Sequence, residues 1–162
     1  GSQFMPSVAA LFRKSYWVYV KREDVLRQAI SRHMSIETKI NHATKNDTDS
    51  HFAGNLLRGY TASYNESARY DFQKIKRHCS NIVMENIIWA NFFAVNKICP
   101  LTLTYEQLCS DSDFVYLNGI ADFIGIDFQV DSGSFPRRQM VKLSNRKNDD
   151  WYFKFLADVN GP

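Results

Sequence analysis

Residues 17–31, WVYVKREDVLRQAIS, pass from a strand-like pattern to a helix-like one with no room for a loop. Residues 16–20 are aromatic and β-branched, which favours an extended strand. Both faces of that run are apolar, so the strand is expected inside a sheet covered by helices. Lys21-Arg22-Glu23-Asp24 is a charged step. Asp24 can cap a helix, and Val25, Leu26, Ala29 and Ile30 supply an apolar stripe at helical spacing. A strand that runs straight into a helix is the βα half of an α/β unit. The carboxyl end of such a strand is where these folds place their ligands. Arg22 stands at that end, and Ser31 follows about two turns into the helix. A fixed cation followed by a hydroxyl suits a phosphate. The alternative is that Arg22 pairs with Glu23 or Asp24 and Ser31 is an ordinary helix hydroxyl.

Before this unit, Pro6 and Ser7 could open a brief helical turn through residues 8–12. After it, residues 37–69 are polar, rich in Asn, Asp, Thr, Ser and Gly, with His42 and His51 among them and weak periodicity. They are expected as a long insertion, either a substrate loop or a surface loop. Residues 70–97 carry the longest helix pattern. Ile75, Cys79, Ile82, Val83, Asn86, Trp89, Ala90 and Phe93 recur at spacings of three and four. That helix is expected to cross a sheet face, ending before Pro100. A second strand is expected over 101–105. Asp113 is the expected cap of a further helix that stops at Gly125. Residues 127–150 read as loop and contain Arg137, Arg138, Lys142 and the basic turn Asn145-Arg146-Lys147-Asn148. Residues 151–155 read as a short aromatic helix. The order β, α, long loop, α, β, α implies an α/β layer with parallel strands.

Composition bounds the possibilities. With 162 residues, 44% apolar and 14% aromatic, the chain can build one real core. Gly1-Ser2-Gln3-Phe4 reads as an expression scar, with Met5 a plausible native start, so one domain is expected over 5–162. No apolar run is long enough to span a bilayer, and no signal-peptide pattern is present. The net charge of +3 is too small to argue for nucleic acid. Arg137, Arg138, Lys142, Arg146 and Lys147 do form a basic cluster, but Asp149 and Asp150 interrupt it. Cys79, Cys99 and Cys109 form no CxxC pair and read as small buried hydrophobes of a reducing compartment, so a cytoplasmic protein is expected. No His/Cys/Asp cluster has metal-ligand spacing.

Two segments together resemble one known family. KREDVLRQAIS is similar to the strand-turn-helix of sulfotransferases that use 3′-phosphoadenosine 5′-phosphosulfate (PAPS), closest to the bacterial trehalose 2-sulfotransferase type. Arg22, Asp24, Gln28, Ala29, Ile30 and Ser31 match its R-x-D-x-x-x-QA-[VI]-S pattern in register. ICPLTLTYEQLCSDSDFVYLNGIADFIGI resembles that family's strand, its Tyr-Glu-x-Leu step and its helix ending in Phe-x-Gly. The resemblance spans 16–35 and 70–157. It implies a P-loop-like α/β fold, here truncated, with a mostly parallel sheet flanked by helices. It also implies that Arg22 and Ser31 hold the 3′-phosphate of PAPS or of its product, adenosine 3′,5′-bisphosphate (PAP), and that no metal is needed. Arg146 and Lys147, followed by Trp151, resemble the basic turn that many sulfotransferases fold over the same phosphate.

The family's Gly/Ser/Thr-rich phosphosulfate loop and its upstream general base have no counterpart in residues 1–20. The chain therefore reads as the C-terminal two-thirds of a sulfotransferase. His33, His42 and His51 are candidate replacement bases, each expected at the surface or in a loop. One functional expectation is sulfuryl transfer from PAPS to a hydroxyl of a carbohydrate or small metabolite. Another is a non-catalytic nucleotide- or protein-binding module of the same fold, whose unpaired sheet edge would invite a homo-oligomer or a second chain.

Overall fold

The computed structural model describes residues 15–48, 54–111, 113–130 and 140–161. The fold is mixed α/β. The described residues form β1 (Val18–Lys21), α1 (Val25–Thr38), β2 (His42–Ala43), β3 (Leu56–Leu57), a 3-10 turn (Ala62–Asn65), α2 (Phe72–Val95), β4 (Leu101–Thr104), α3 (Tyr105–Ser110), α4 (Tyr116–Ile124) and α5 (Arg146–Asn160). They fall into two compact units. One holds the described residues of 1–23 and 83–136, the other those of 24–82 and 137–162.

The first unit is built on β1 and β4, which pair in parallel with Val18 opposite Leu101 and Lys21 opposite Thr104. Strand alternation sends Trp17 and Tyr19 to one face. There they meet the second half of α2. Trp17 packs on Phe92 at 5.5 Å, Tyr19 on Phe93 at 5.5 Å, and the Tyr19 hydroxyl donates to Asn86 Oδ1 at 3.0 Å. Phe92 and Phe93 are buried. The opposite face corrects the expectation of a strand buried on both sides. Val18 is 40% and Val20 50% exposed, because among the described residues one helix face covers the pair of strands. The helical stripe of α2 is corrected in the same way. Val83, Trp89 and Ala90 are exposed, and so are Met84, Ile87 and Ile88.

Beyond β4 the chain turns directly into α3. Thr104 caps it, and Gln107 reaches back to the Thr104 N–H, a capping box that makes the step from strand to helix abrupt. Asp111, not Asp113, anchors the start of α4. Its carboxylate accepts from the N–H groups of Tyr116 and Asp113. Gly125 ends α4 at φ 74°, the left-handed conformation expected of a C-terminal glycine.

The second unit packs α1, the first half of α2 and α5 around Ala29, Ile30, Met34, Ala68, Ile75, Ile82, Trp151 and Phe155. Asp24 caps α1 by accepting from Arg27 N at 2.8 Å. The stripe of α1 runs on from Ala29 and Ile30 to His33 and Met34, positions four residues further along the same face. Burying each isoleucine contributes roughly 2 kcal/mol. Residues 37–69, expected as loop, hold ordered structure in their described part. The short strands β2 and β3 pair in parallel, Thr44 bridges Met140, and Ala43, Thr44 and Asn65 are buried. The basic turn around residue 146 and the short helix at 151–155 are one element, α5, which starts at residue 146. Asn145 and Asn148 form its capping box, an Asn-for-Ser/Thr and Asn-for-Glu/Gln variant of that signature.

Candidate functional site

The parallel pairing of β1 and β4 brings their carboxyl ends to the same edge, and the residues that follow each strand meet there. Arg22 follows β1. Its side chain is 16% exposed, and its guanidinium lies over the Tyr105 ring with Cζ 4.5 Å from the centroid. Its Nε stands 3.5 Å from Glu106 Oε1, an ion pair rather than a hydrogen bond. The other carboxylate oxygen, Glu106 Oε2, accepts from the Glu23 backbone N–H at 3.1 Å. Arg22 therefore pairs with Glu106, 84 positions away, rather than with its neighbour Glu23. The Asp24 carboxylate is engaged as the cap of α1. Burial pushes the Tyr105 hydroxyl above its usual range, as does its hydrogen bond to Cys109, while the Arg22 charge pulls the other way. The phenol stays protonated and the ring serves as a flat support for the cation. The two sequence motifs thus converge. The Arg of the first rests on the Tyr-Glu step of the second.

Ser31 lies on the exposed face of α1, in the second unit. Arg146 and Lys147 open the first turn of α5 in that same unit and have different surroundings. Arg146 is exposed. Lys147 turns inward, and its Nζ donates to the carbonyls of Asn65, Glu66 and Ala68 at 2.7, 2.8 and 2.8 Å, using all three ammonium protons. Beside it, Asn65 and Asn145 exchange side-chain amide hydrogen bonds at 3.1 and 3.2 Å, and Asn145 also donates to Ala62 O. The start of α5 is thereby pinned to residues 62–68, with Arg146 left facing outward. Arg27 of α1 reaches Asp149 of α5 at 2.7 Å, and its Cζ lies over the Tyr152 ring, 4.6 Å from the centroid. The Asp149 hydrogen bond holds the guanidinium above its already high range. Arg137 and Arg138 lie outside the described residues.

Of the candidate bases, His33 is a core residue, which corrects the expectation of a surface or loop histidine. It is fully buried, its Nε2–H donates to Arg69 O at 3.1 Å, and its ring packs on Trp151 and His78. His42 is exposed, and His51 lies outside the described residues. Among the free cysteines, Cys79 is half-buried while Cys99 and Cys109 are exposed, not buried as expected. Among the described residues no His/Cys/Asp/Glu group could hold a metal ion, and no helix is long and apolar enough to cross a membrane.

Arg22, Tyr105 and Glu106 thus meet at the carboxyl edge of the parallel strands of a mixed α/β fold. A family model described as Stf0 sulphotransferase matches residues 3–158, nearly the whole chain and including the polar middle. The chain belongs to the Stf0 sulphotransferase family. No curated protein and no solved structure matches it significantly. The Tyr-Glu step is visible in the sequence, but no role for Tyr105 or Glu106 follows from it alone. The signal was available as an aromatic and an acid at the end of the second parallel strand, opposite the end of the first.

Proposed function

We propose that the chain binds PAPS and serves transfer of its sulfuryl group to a hydroxyl of a carbohydrate or small metabolite, in the cytoplasm. Membership of the sulfotransferase family supports the reaction class. The observation that carries the nucleotide reading is Arg22. It is held at the carboxyl edge of two parallel strands, over the Tyr105 ring, with a guanidinium whose fork matches phosphate oxygens. In this reading Arg22 and Ser31 hold the 3′-phosphate and Arg146 adds a further cation. Lys147 contributes by fixing the turn that carries Arg146, since its own protons are engaged by carbonyls.

In the reaction, the acceptor oxygen bonds to sulfur as the bond from sulfur to the bridging oxygen breaks. The hydroxyl proton goes to a base, and PAP leaves with the bonding pair on its 5′-phosphate. Negative charge grows on the bridging oxygen, so fixed cations and N–H donors aimed there would lower the barrier. A second chain or second copy of this one remains part of the proposal, as a source of further groups around the nucleotide.

The test is calorimetric titration of the chain with PAP, with Arg22→Ala as the control. Binding by the wild type that falls at least about thirtyfold in the variant is expected, because a charge-assisted bidentate contact is lost. Equal affinity in Arg22→Ala, or no binding by the wild type, would overturn the assignment. Turnover of PAPS against a panel of hydroxyl acceptors then tests the transfer itself.

A further inference from the structure

We propose that Glu106 and Tyr105 are positioning residues for Arg22, fixing its guanidinium so that the edge carrying the two Nη groups is the one offered to an anion. The proposal rests on the reading above only for the identity of that anion, a phosphate ester.

A guanidinium can grip an oxyanion along either of two edges, Nε with one Nη, or the two Nη groups together. Glu106 Oε1 sits 3.5 Å from Nε and occupies the first edge. That Nε is closed to solvent, and an incoming anion cannot use it. The Nη groups have no partner among the described residues. The Tyr105 ring lies beneath the group, with Cζ 4.5 Å from its centroid, and supports it from that side. The carboxylate is itself held, because Oε2 accepts from the Glu23 N–H at 3.1 Å. The capping box between Thr104 and Gln107 sets where α3 begins, and with it the directions of Tyr105 and Glu106. The ion pair and the ring contact restrain the Arg22 guanidinium before any ligand arrives, so less freedom is lost on binding.

The competing view is that Glu106 merely neutralises Arg22 and must be displaced by the ligand. The two views predict opposite signs. Glu106 is 37% exposed, so water screens its repulsion of an anion beyond the Nη edge. Its attraction for the guanidinium acts over 3.5 Å, a shorter path than to an anion beyond the Nη edge, and at Nε, which is closed to solvent, so it is screened less. Positioning therefore outweighs repulsion, and removal of Glu106 weakens anion binding.

The test uses the full chain labelled with 15N. The Arg22 Nε–Hε signal is assigned by its loss in Arg22→Ala. In the wild type it is expected to be rigid and protected from water. In Glu106→Ala it should become as mobile as surface arginines, while Glu106→Gln, which keeps one oxygen but loses the charge, should lie between Glu106→Ala and the wild type. PAP affinity should fall about tenfold in Glu106→Ala and less than about threefold in Glu106→Gln, with unchanged circular dichroism in both. A wild-type Arg22 Nε–H already as mobile as in Glu106→Ala would overturn the proposal, as would PAP binding by Glu106→Ala as tight as wild type or tighter. If the wild type binds no PAP, the nucleotide reading fails, and the relaxation data still decide whether Glu106 orders Arg22.

Discussion

At the scale of single residues, the arginines and lysines of this chain divide by what their protons already touch. Lys147 is a lysine at a helix start, a position where sequence alone suggests an anion site. Its three protons instead satisfy the carbonyls of Asn65, Glu66 and Ala68. Lys147→Met keeps the stem and strips those carbonyls of their donor. It should cost about 2–3 kcal/mol in urea denaturation, by the usual worth of hydrogen bonds to a charged group. A loss below about 0.5 kcal/mol would mean that water replaces the ammonium freely. No local pattern announces this contact, since the carbonyls lie about 80 positions earlier in the chain. His78 gives a pH-dependent counterpart. Burial holds it below its ordinary pKa of 6.5, with His33, Arg32, Arg77 and Lys74 adding repulsion. The unfolded chain then binds the proton more readily than the folded one. The stability contributed by neutral His78 is present above pH 6.5 and is lost as the pH falls from there toward the lower folded value. Denaturation midpoints taken from pH 7.5 down to about 5 should decline, and His78→Gln should flatten the decline. Identical slopes in both proteins would refute this.

At the scale of elements, starts and stops are local chemistry and are mostly readable in the sequence. Asp24 and Gly125 stand where the pattern puts them, and the strand expected over 101–105 is Leu101–Thr104, with Tyr105 opening the next helix. Gly125 takes φ 74° with open space where a Cβ would stand, whereas Gly119 lies inside α4 with equally open space. Gly125→Ala should therefore destabilise by about 1 kcal/mol, and Gly119→Ala should stabilise by a few tenths to about 1 kcal/mol. Thermal denaturation of the pair checks the contrast, and equal effects would rule out a conformational origin. α2 offers a second contrast along one helix. Ile82 is buried and Ile87 is 54% exposed. Ile82→Ala should cost about 2–4 kcal/mol and Ile87→Ala less than about 0.5. The helical stripe includes Ile82 and leaves out Ile87, but it also includes Val83, Trp89 and Ala90, which are exposed. Which face is covered depends on what packs there.

At the scale of the whole molecule, the functional reading makes the nucleotide a stabiliser of the native chain. PAP at about a hundred times its dissociation constant should add about 2.7 kcal/mol to wild-type stability, a gain absent from Arg22→Ala at the same concentration. A ligand-induced rise in the variant as large as in the wild type would place the phosphate elsewhere. The sequence by itself determined the strand-to-helix step at Arg22, the second strand with its Tyr-Glu step, the cap at Asp24, the stop at Gly125 and the family. These depend on side-chain type and spacing within a few residues. Tertiary structure alone decided that β1 keeps one apolar face exposed, that His33 is a core residue, that Lys147 is engaged by three carbonyls and that Glu106 is the partner of Arg22. Each of these is set by atoms brought together across tens of residues. The free energy of burial and ion pairing depends on those neighbours, and local spacing carries no record of them.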